Sequence, residues 1–128
     1  MITPEPRDLA LQALYQLDRT GDAGPIEDLP YKSRRLVEGV IAHTAELDTS
    51  IEGASEHWTV DRMPVIDRAI LRLGLFELRH EPDTPAAVVV NEAVRLAKTY
   101  STQRSGSFVN GVLATLAVGE RPAQERAE

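Results

Sequence analysis

An all-helical chain is what this sequence predicts, on three observations. Apolar residues recur at three- and four-residue steps along most of the chain. They are mainly Leu, Val, Ile and Ala, with aromatics at only 5%, a composition suited to helix-on-helix packing. Pro and Gly gather in a few short stretches that punctuate these patterns. With 128 residues and a hydrophobic share of 42%, one domain can bury a core, but a second catalytic domain does not fit.

The first helix starts at Thr3-Pro4 and Glu5: a capping hydroxyl, a proline in the first turn and an acid near the positive end of the dipole. Leu9, Ala10, Ala13, Leu14 and Leu17 then form one stripe, ending near Thr20-Gly21. Residues 21–30, with two Gly, two Pro and three acids, read as a linker. A long second helix begins near Tyr31; Leu36, Val37, Val40, Ile41, Thr44, Leu47, Ile51 and Ala54 keep its period to about Ser55. Residues 56–61 break it and hold the only tryptophan, Trp58, which most simply closes the end of a core.

Asp61 as cap and Pro64 in the first turn introduce a third helix. Its apolar positions, Val65, Ile66, Ala69, Ile70, Leu73, Leu75, Phe76 and Leu78, spread over more than one face and make it central. Two prolines at residues 81–85 end it. Residues 86–90 alone could be a buried strand, but they continue at helical spacing into Glu92, Ala93, Val94, Leu96, Ala97 and Lys98, giving one helix over about 87–100. After a polar loop, Ser105 or Ser107 caps a last helix carrying Phe108, Val109, Val112, Leu113 and Leu116. The charged residues after Gly119 are expected to be mobile.

Several function classes drop out. The absence of cysteine removes disulfides, thiolate metal sites and thiol nucleophiles together. His43, His57 and His80 lack the short helical spacing of a metal-ligand pair, and no metal or cofactor is expected. Gly106 and Gly111 lack the Lys and Ser/Thr of a phosphate loop. Ser105-Gly106-Ser107 has no His and acid to make it a nucleophile turn, and the paired acids Glu46 with Asp48 and Glu27 with Asp28 read as solvated surface. No apolar run approaches a bilayer span, and residues 1–8 have no signal-like pattern, so a cytoplasmic protein without membrane contact is the expectation. A formal charge of −6 opposes indiscriminate binding to a polyanion; an RNA site would be local and helped by a basic partner.

Three stretches, in this order and spacing, resemble the NusB family of transcription antitermination factors. They are Leu11-Gln12-Ala13-Leu14-Tyr15-Gln16; then Trp58-Thr59-Val60-Asp61-Arg62-Met63 running into Asp67-Arg68-Ala69-Ile70-Leu71-Arg72-Leu73 and Phe76-Glu77-Leu78; and last Asn91-Glu92-Ala93-Val94, Leu96-Ala97-Lys98, Ser105 and Phe108-Val109-Asn110-Gly111-Val112-Leu113. The resemblance spans about residues 7–116. It implies an all-α, NusB-like fold of six to seven helices in two packed subdomains, about 1–55 and 56–119, with 120–128 as a tail. It also implies a function without catalysis. The family binds the boxA element of nascent RNA as a heterodimer with the ribosomal protein NusE, and meets other antitermination factors and RNA polymerase indirectly. The same fold occurs fused to RNA cytosine methyltransferases, but this chain is too short for that domain.

The family's first helix commonly starts with several arginines that touch RNA phosphates, whereas residues 3–8 offer only Arg7. Many relatives carry an acid before the serine matching Ser105, where this sequence has Arg104; a guanidinium there favours phosphate contact. Gln103, Arg104, Ser105 and Phe108 with Arg7 therefore form the expected RNA site. Phe108 is either a stacking platform for an unpaired base or a core anchor. Tyr15 and Asp67 align with positions that resemble the NusE-facing surface, with Arg68 and Arg72 as further candidates for that partner; Asp67, near its helix start, alternatively caps amides. Arg68 and Arg72, four residues apart, alternatively pair with Asp61 and other acids, and Tyr15 alternatively belongs to the core. A helical adapter that binds NusE with little RNA contact is the competing function, and self-association in the absence of partners is left open.

Overall fold

Burial of the apolar stripes of successive helices against one another organises the chain. The computed structural model describes residues 5–56 and 58–122. Along them run α1 (Pro6–Thr20), α2 (Tyr31–Ala54), α3 (Val65–His80), α4 (Ala86–Tyr100) and α5 (Gln103–Glu120), with single 3₁₀ turns at Ile26–Asp28 and Val60–Arg62. The architecture is all-α, as expected, but with five α-helices. The linker after α1 and the corner before α3 each hold enough Pro or polar residues to stop at one turn.

Helix α1 begins at Pro6, with Glu5 in extended geometry before it; the start read at Thr3-Pro4 lies outside the described residues. Gly21, at φ 81°, ends the helix and donates its N–H to the Leu17 carbonyl, a left-handed cap that glycine adopts without Cβ strain. The buried stripe is Arg7, Ala10, Leu11, Ala13 and Leu14, so Leu11 rather than Leu9 leads it. Helix α2 is docked on α1 by the Ser33 hydroxyl, which donates to the Pro6 carbonyl at 2.9 Å.

The period of α2 is not continuous: it kinks at His43 (φ −119°, ψ 15°). One residue on, the Thr44 hydroxyl donates to the Val40 carbonyl at 2.7 Å, a competing bond of the kind that bends helices. On the core side the Phe76 ring of α3 lies flat on Gly39, where an added Cβ would fall 2.1 Å from Phe76 Cζ. The same ring stacks on His80, and His80 on His43, with centroids 4.8 and 4.6 Å apart.

Helix α3 is central, as its spread of apolar positions predicts: Ala69, Ile70, Leu71, Leu73, Gly74, Leu75, Phe76 and Leu78 are all buried, and it contacts each of the other four helices. Its cap position is Pro64, not Asp61; Asp61 sits in the preceding 3₁₀ turn. Helices α4 and α5 pack across it, and Gly74 lets the Leu113 side chain come close. Residues 86–90 are helical. Helix α5 is capped by Thr102, whose hydroxyl accepts from the Ser105 N–H at 3.0 Å, rather than by Ser105 or Ser107. Among the described residues the buried apolar side chains of all five helices make one cluster.

Trp58 does not close the core. It is 49% exposed and leans on Phe108. The segment around it is too polar to follow the ring inward; Ser55 binds the Trp58 carbonyl, and the Glu52 carboxylate accepts from the Val60 N–H. The expected mobile tail is also partly anchored. Arg121 is 6% exposed and donates to the carbonyls of Leu78, Thr84, Glu81 and Glu77. It thereby gives the Leu78 carbonyl a donor and places a positive charge at the C-terminal end of α3, where the helix dipole favours one. Residues 123–128 of that tail, like His57, lie outside the described residues.

Two outcomes test this packing. Gly39→Ala should lower stability by about 1–2 kcal/mol in urea unfolding, because displacing the Phe76 ring outweighs the gain in helix propensity. Burial first, then His43 and Arg79, push the His80 imidazole below the ordinary histidine value, against the pull of Glu46 and Glu120. The unfolded chain therefore binds the proton more readily, and this contribution to stability is full above roughly pH 6.5 and fades as pH falls through the lowered native value. Histidine NMR should show His80 titrating below free histidine, and His43→Asn should move it upward; a midpoint at or above the free value would contradict the stacked arrangement.

Candidate functional site

The loop between α4 and α5 meets the start of α3 and the Trp58 corner around a surface cavity of about 530 Å³. Trp58, Pro64, Asp67, Ser101, Thr102, Arg104, Ser105 and Phe108 line it. Four residues singled out from the sequence, Asp67, Arg104, Ser105 and Phe108, are thus brought together, with Gln103 exposed beside them. Phe108 is half-buried: its ring packs against the core cluster, while its other contact is with Trp58, at 6.4 Å between centroids and 57° between planes. It serves as core anchor and surface ring at once.

Hydroxyl groups line the polar side. Ser105 Oγ donates to Asp67 Oδ2 at 2.9 Å, and the hydroxyls of Ser101 and Thr102 lie 2.9 and 3.1 Å from Ser105 Oγ. Asp67 is 3% exposed, and its Oδ1 has no hydrogen-bond partner among the described residues. The structure therefore places Asp67 beside the Arg104–Phe108 group, on the wall of the cavity. Arg104 is exposed and makes no ion pair or side-chain hydrogen bond among the described residues. Its guanidinium is available to a ligand.

Arg7 lies elsewhere. Nε and Nη2 each donate to a Glu77 carboxylate oxygen at 2.8 Å, Nη1 is 3.7 Å from Glu92, and the residue is 7% exposed. Sequence reasoning missed this because Glu77 lies 70 residues away, on a helix whose buried faces only packing defines. The next residue, Asp8, accepts from Arg95 and from the Tyr100 hydroxyl, which holds its carboxyl below the usual range, chiefly through Arg95. The Tyr100 contact sets the first turn of α1 against the end of α4, the segment that leads into Gln103 and Arg104.

Arg68 and Arg72 are paired, but not with the Asp61 carboxylate. Arg68 makes a two-pronged bond to Asp18, at 2.6 and 2.9 Å, and Arg72 one to Asp48, at 2.7 and 2.9 Å. Arg68 Nη1 also reaches back to the preceding turn, 3.5 Å from the Val60 carbonyl and 3.4 Å from the Asp61 carbonyl, so Asp61 meets it through its backbone oxygen and not its carboxylate. Tyr15 is half-exposed on α1 under the Arg19 guanidinium, 5.6 Å from its centroid. Trp58, Ser101 and Thr102 escaped the sequence reading as site residues. The polarity of the residues flanking Trp58 was the signal that it would stay at the surface.

Among the described residues no group of three or more His, Asp or Glu could hold a metal ion, and no helix is long and apolar enough to cross a membrane. The buried Arg7–Glu77 pair makes a sharp prediction. Glu77→Gln removes the two-pronged counter-charge of a buried guanidinium, leaving only the longer contact with Glu92, and should cost about 3 kcal/mol of stability, whereas Arg104→Ala should stay within about 0.5 kcal/mol; urea unfolding of both checks this.

The NusB family profile matches residues 4–118. The chain is 44% identical to the transcription antitermination protein NusB of Myxococcus xanthus, over 88% of this chain and 91% of that protein. It superposes on the solved NusB of T. maritima with a TM-score of 0.85 and 32% identity, covering all of both chains. It also superposes on a chain from the structure of antitermination factors NusB and NusE in complex with dsRNA, with a TM-score of 0.78 and 28% identity over 89% of this chain and 94% of that one. A family match across nearly the whole chain, on the same all-helical frame, has one meaning: the chain belongs to the NusB family.

Proposed function

We propose that this chain is a cytoplasmic transcription antitermination factor, an adapter without catalytic chemistry that holds boxA-type single-stranded RNA together with NusE and so supports ribosomal RNA transcription. The observation that carries the reading is the unpaired Arg104 guanidinium at the rim of a cavity walled by two surface aromatic rings. A cation for phosphate beside faces on which unpaired bases stack is what a single strand requires. A relative of the same frame has been solved with NusE and dsRNA.

Direct phosphate contact falls to Arg104 with Gln103. Arg7 reaches a phosphate only by leaving Glu77, and its main part is to fix the start of α1 beside the loop. The net charge of −6 leaves the partner to supply further cations. Tyr15, with the α3 surface that Arg68 and Arg72 brace, is the NusE-facing side. The competing reading, a NusE-binding adapter with little RNA contact, draws on the same acidity and on the internal pairing of Arg7.

Titrating the purified chain with boxA RNA across a salt series, with and without NusE, separates the two. Under the leading reading, RNA binds with a clear salt slope and NusE strengthens it. Arg104→Glu weakens binding and lowers the slope by about 1, the signature of one lost phosphate contact. NusE binding with no RNA contribution, or an Arg104→Glu protein with unchanged RNA affinity at low salt, overturns it.

A further inference from the structure

We propose that the cavity between Trp58, Phe108 and Asp67 reads the chemical identity of one unpaired base, with the Asp67 carboxylate accepting a hydrogen bond from the exocyclic amine of that base. The inference rests on the RNA-binding reading above and adds to it a specificity-determining residue. At about 530 Å³, the cavity lies within the roughly 300–1,000 Å³ range of small-ligand clefts. Its walls differ in chemistry. Trp58 and Phe108 are inclined to each other at 57° and in mutual contact, so they form a corner on which one base stacks, not a slot that sandwiches it.

The opposite side is polar and, with one exception, self-satisfied. Ser101, Thr102 and Ser105 bond to one another, and Ser105 donates to Asp67 Oδ2. That leaves Oδ1 as an acceptor in need of a donor, on a residue 3% exposed. A buried carboxylate oxygen without a partner is costly, and Ser105 already fixes the group's orientation, so little rearrangement accompanies binding. A donor on a molecule that enters the cavity, which Asp67 lines, would satisfy it. Cytosine offers its N4 amine and adenine its N6 amine. Uracil offers a single ring N–H between two carbonyl oxygens, which a carboxylate repels. Arg104 at the rim meets the adjoining phosphate.

The test uses the full chain and two labelled single-stranded probes, oligocytidylate and oligouridylate of about twelve nucleotides, read by fluorescence anisotropy at neutral pH and low salt. Both are single-ring pyrimidines with the same backbone charge, so the change in their affinity ratio on altering Asp67 reads the base edge. The native chain is expected to favour oligocytidylate about fivefold or more. Asp67→Asn, which keeps an acceptor for Ser105 but puts an amide donor where Oδ1 stood, brings the ratio to one or below; Phe108→Ala weakens both probes together. Equal affinities in the native chain, read without any variant, overturn the proposal, as does a ratio untouched by Asp67→Asn. If Asp67→Asn instead weakens NusE binding at constant ratio, the carboxylate belongs to the protein partner and the base-reading role falls. If neither probe binds, alone or with NusE present, the RNA-binding reading fails first and this inference with it.

Discussion

Helix α3 buries most of its surface, with the edge that carries Arg68, Arg72 and Arg79 left half-open, and the carboxylate it carries at Glu77, 2% exposed, has to be neutralised inside the protein. Arg7 does this with a two-pronged bond, and the rest of the arrangement follows from where that arginine must stand. Its position brings the first turn of α1 under α3 and beside Glu92 of α4. Asp8, one residue on, then meets Arg95 and Tyr100. Burial of such a pair is weak evidence for net stability. Its effect is on register: the pairing fixes where the first turn of α1 stands against α3.

The same logic governs the rest of α3. Arg121 places its guanidinium on four backbone carbonyls around the helix terminus, while Arg79 ties the last turn to Glu120. Arg68 and Arg72 hold the outer edge to Asp18 and Asp48. A run of arginines that, seen as residues alone, suggests a surface for an anion or an acidic partner is thus largely engaged within the molecule. Among the described residues Arg104, beside Phe108 and Trp58, makes no ion pair and stands open to a ligand. An acidic protein with one such corner suits shared capture of RNA with a basic partner better than independent capture.

Helix positions and the central role of α3 were legible because apolar periodicity reports directly on which side of a helix is buried. Cap identity was less so: Pro64 and Thr102 occupy positions where Asp61 and Ser105 had the better side chains for the purpose. Ser105 was drawn away by Asp67, 38 residues distant, and local rules carry no information about such a partner. Trp58 misled for a similar reason. Its large apolar ring argued for burial, but polar neighbours and the Phe108 ring across the corner kept it half in solvent.

The all-α class, the helix order, the absence of thiol chemistry and the family membership carried by three spaced stretches are properties of the sequence by itself, because each depends on residue type and spacing within one segment or on segments in order. The tertiary structure alone decided that Arg7 is an internal counter-ion, that Arg121 belongs to the core of the fold, and that Asp67 shares a cavity with Phe108. Each of those rests on a contact between residues 38 to 70 positions apart, and charge, unlike hydrophobicity, leaves no periodic trace of the partner that will satisfy it.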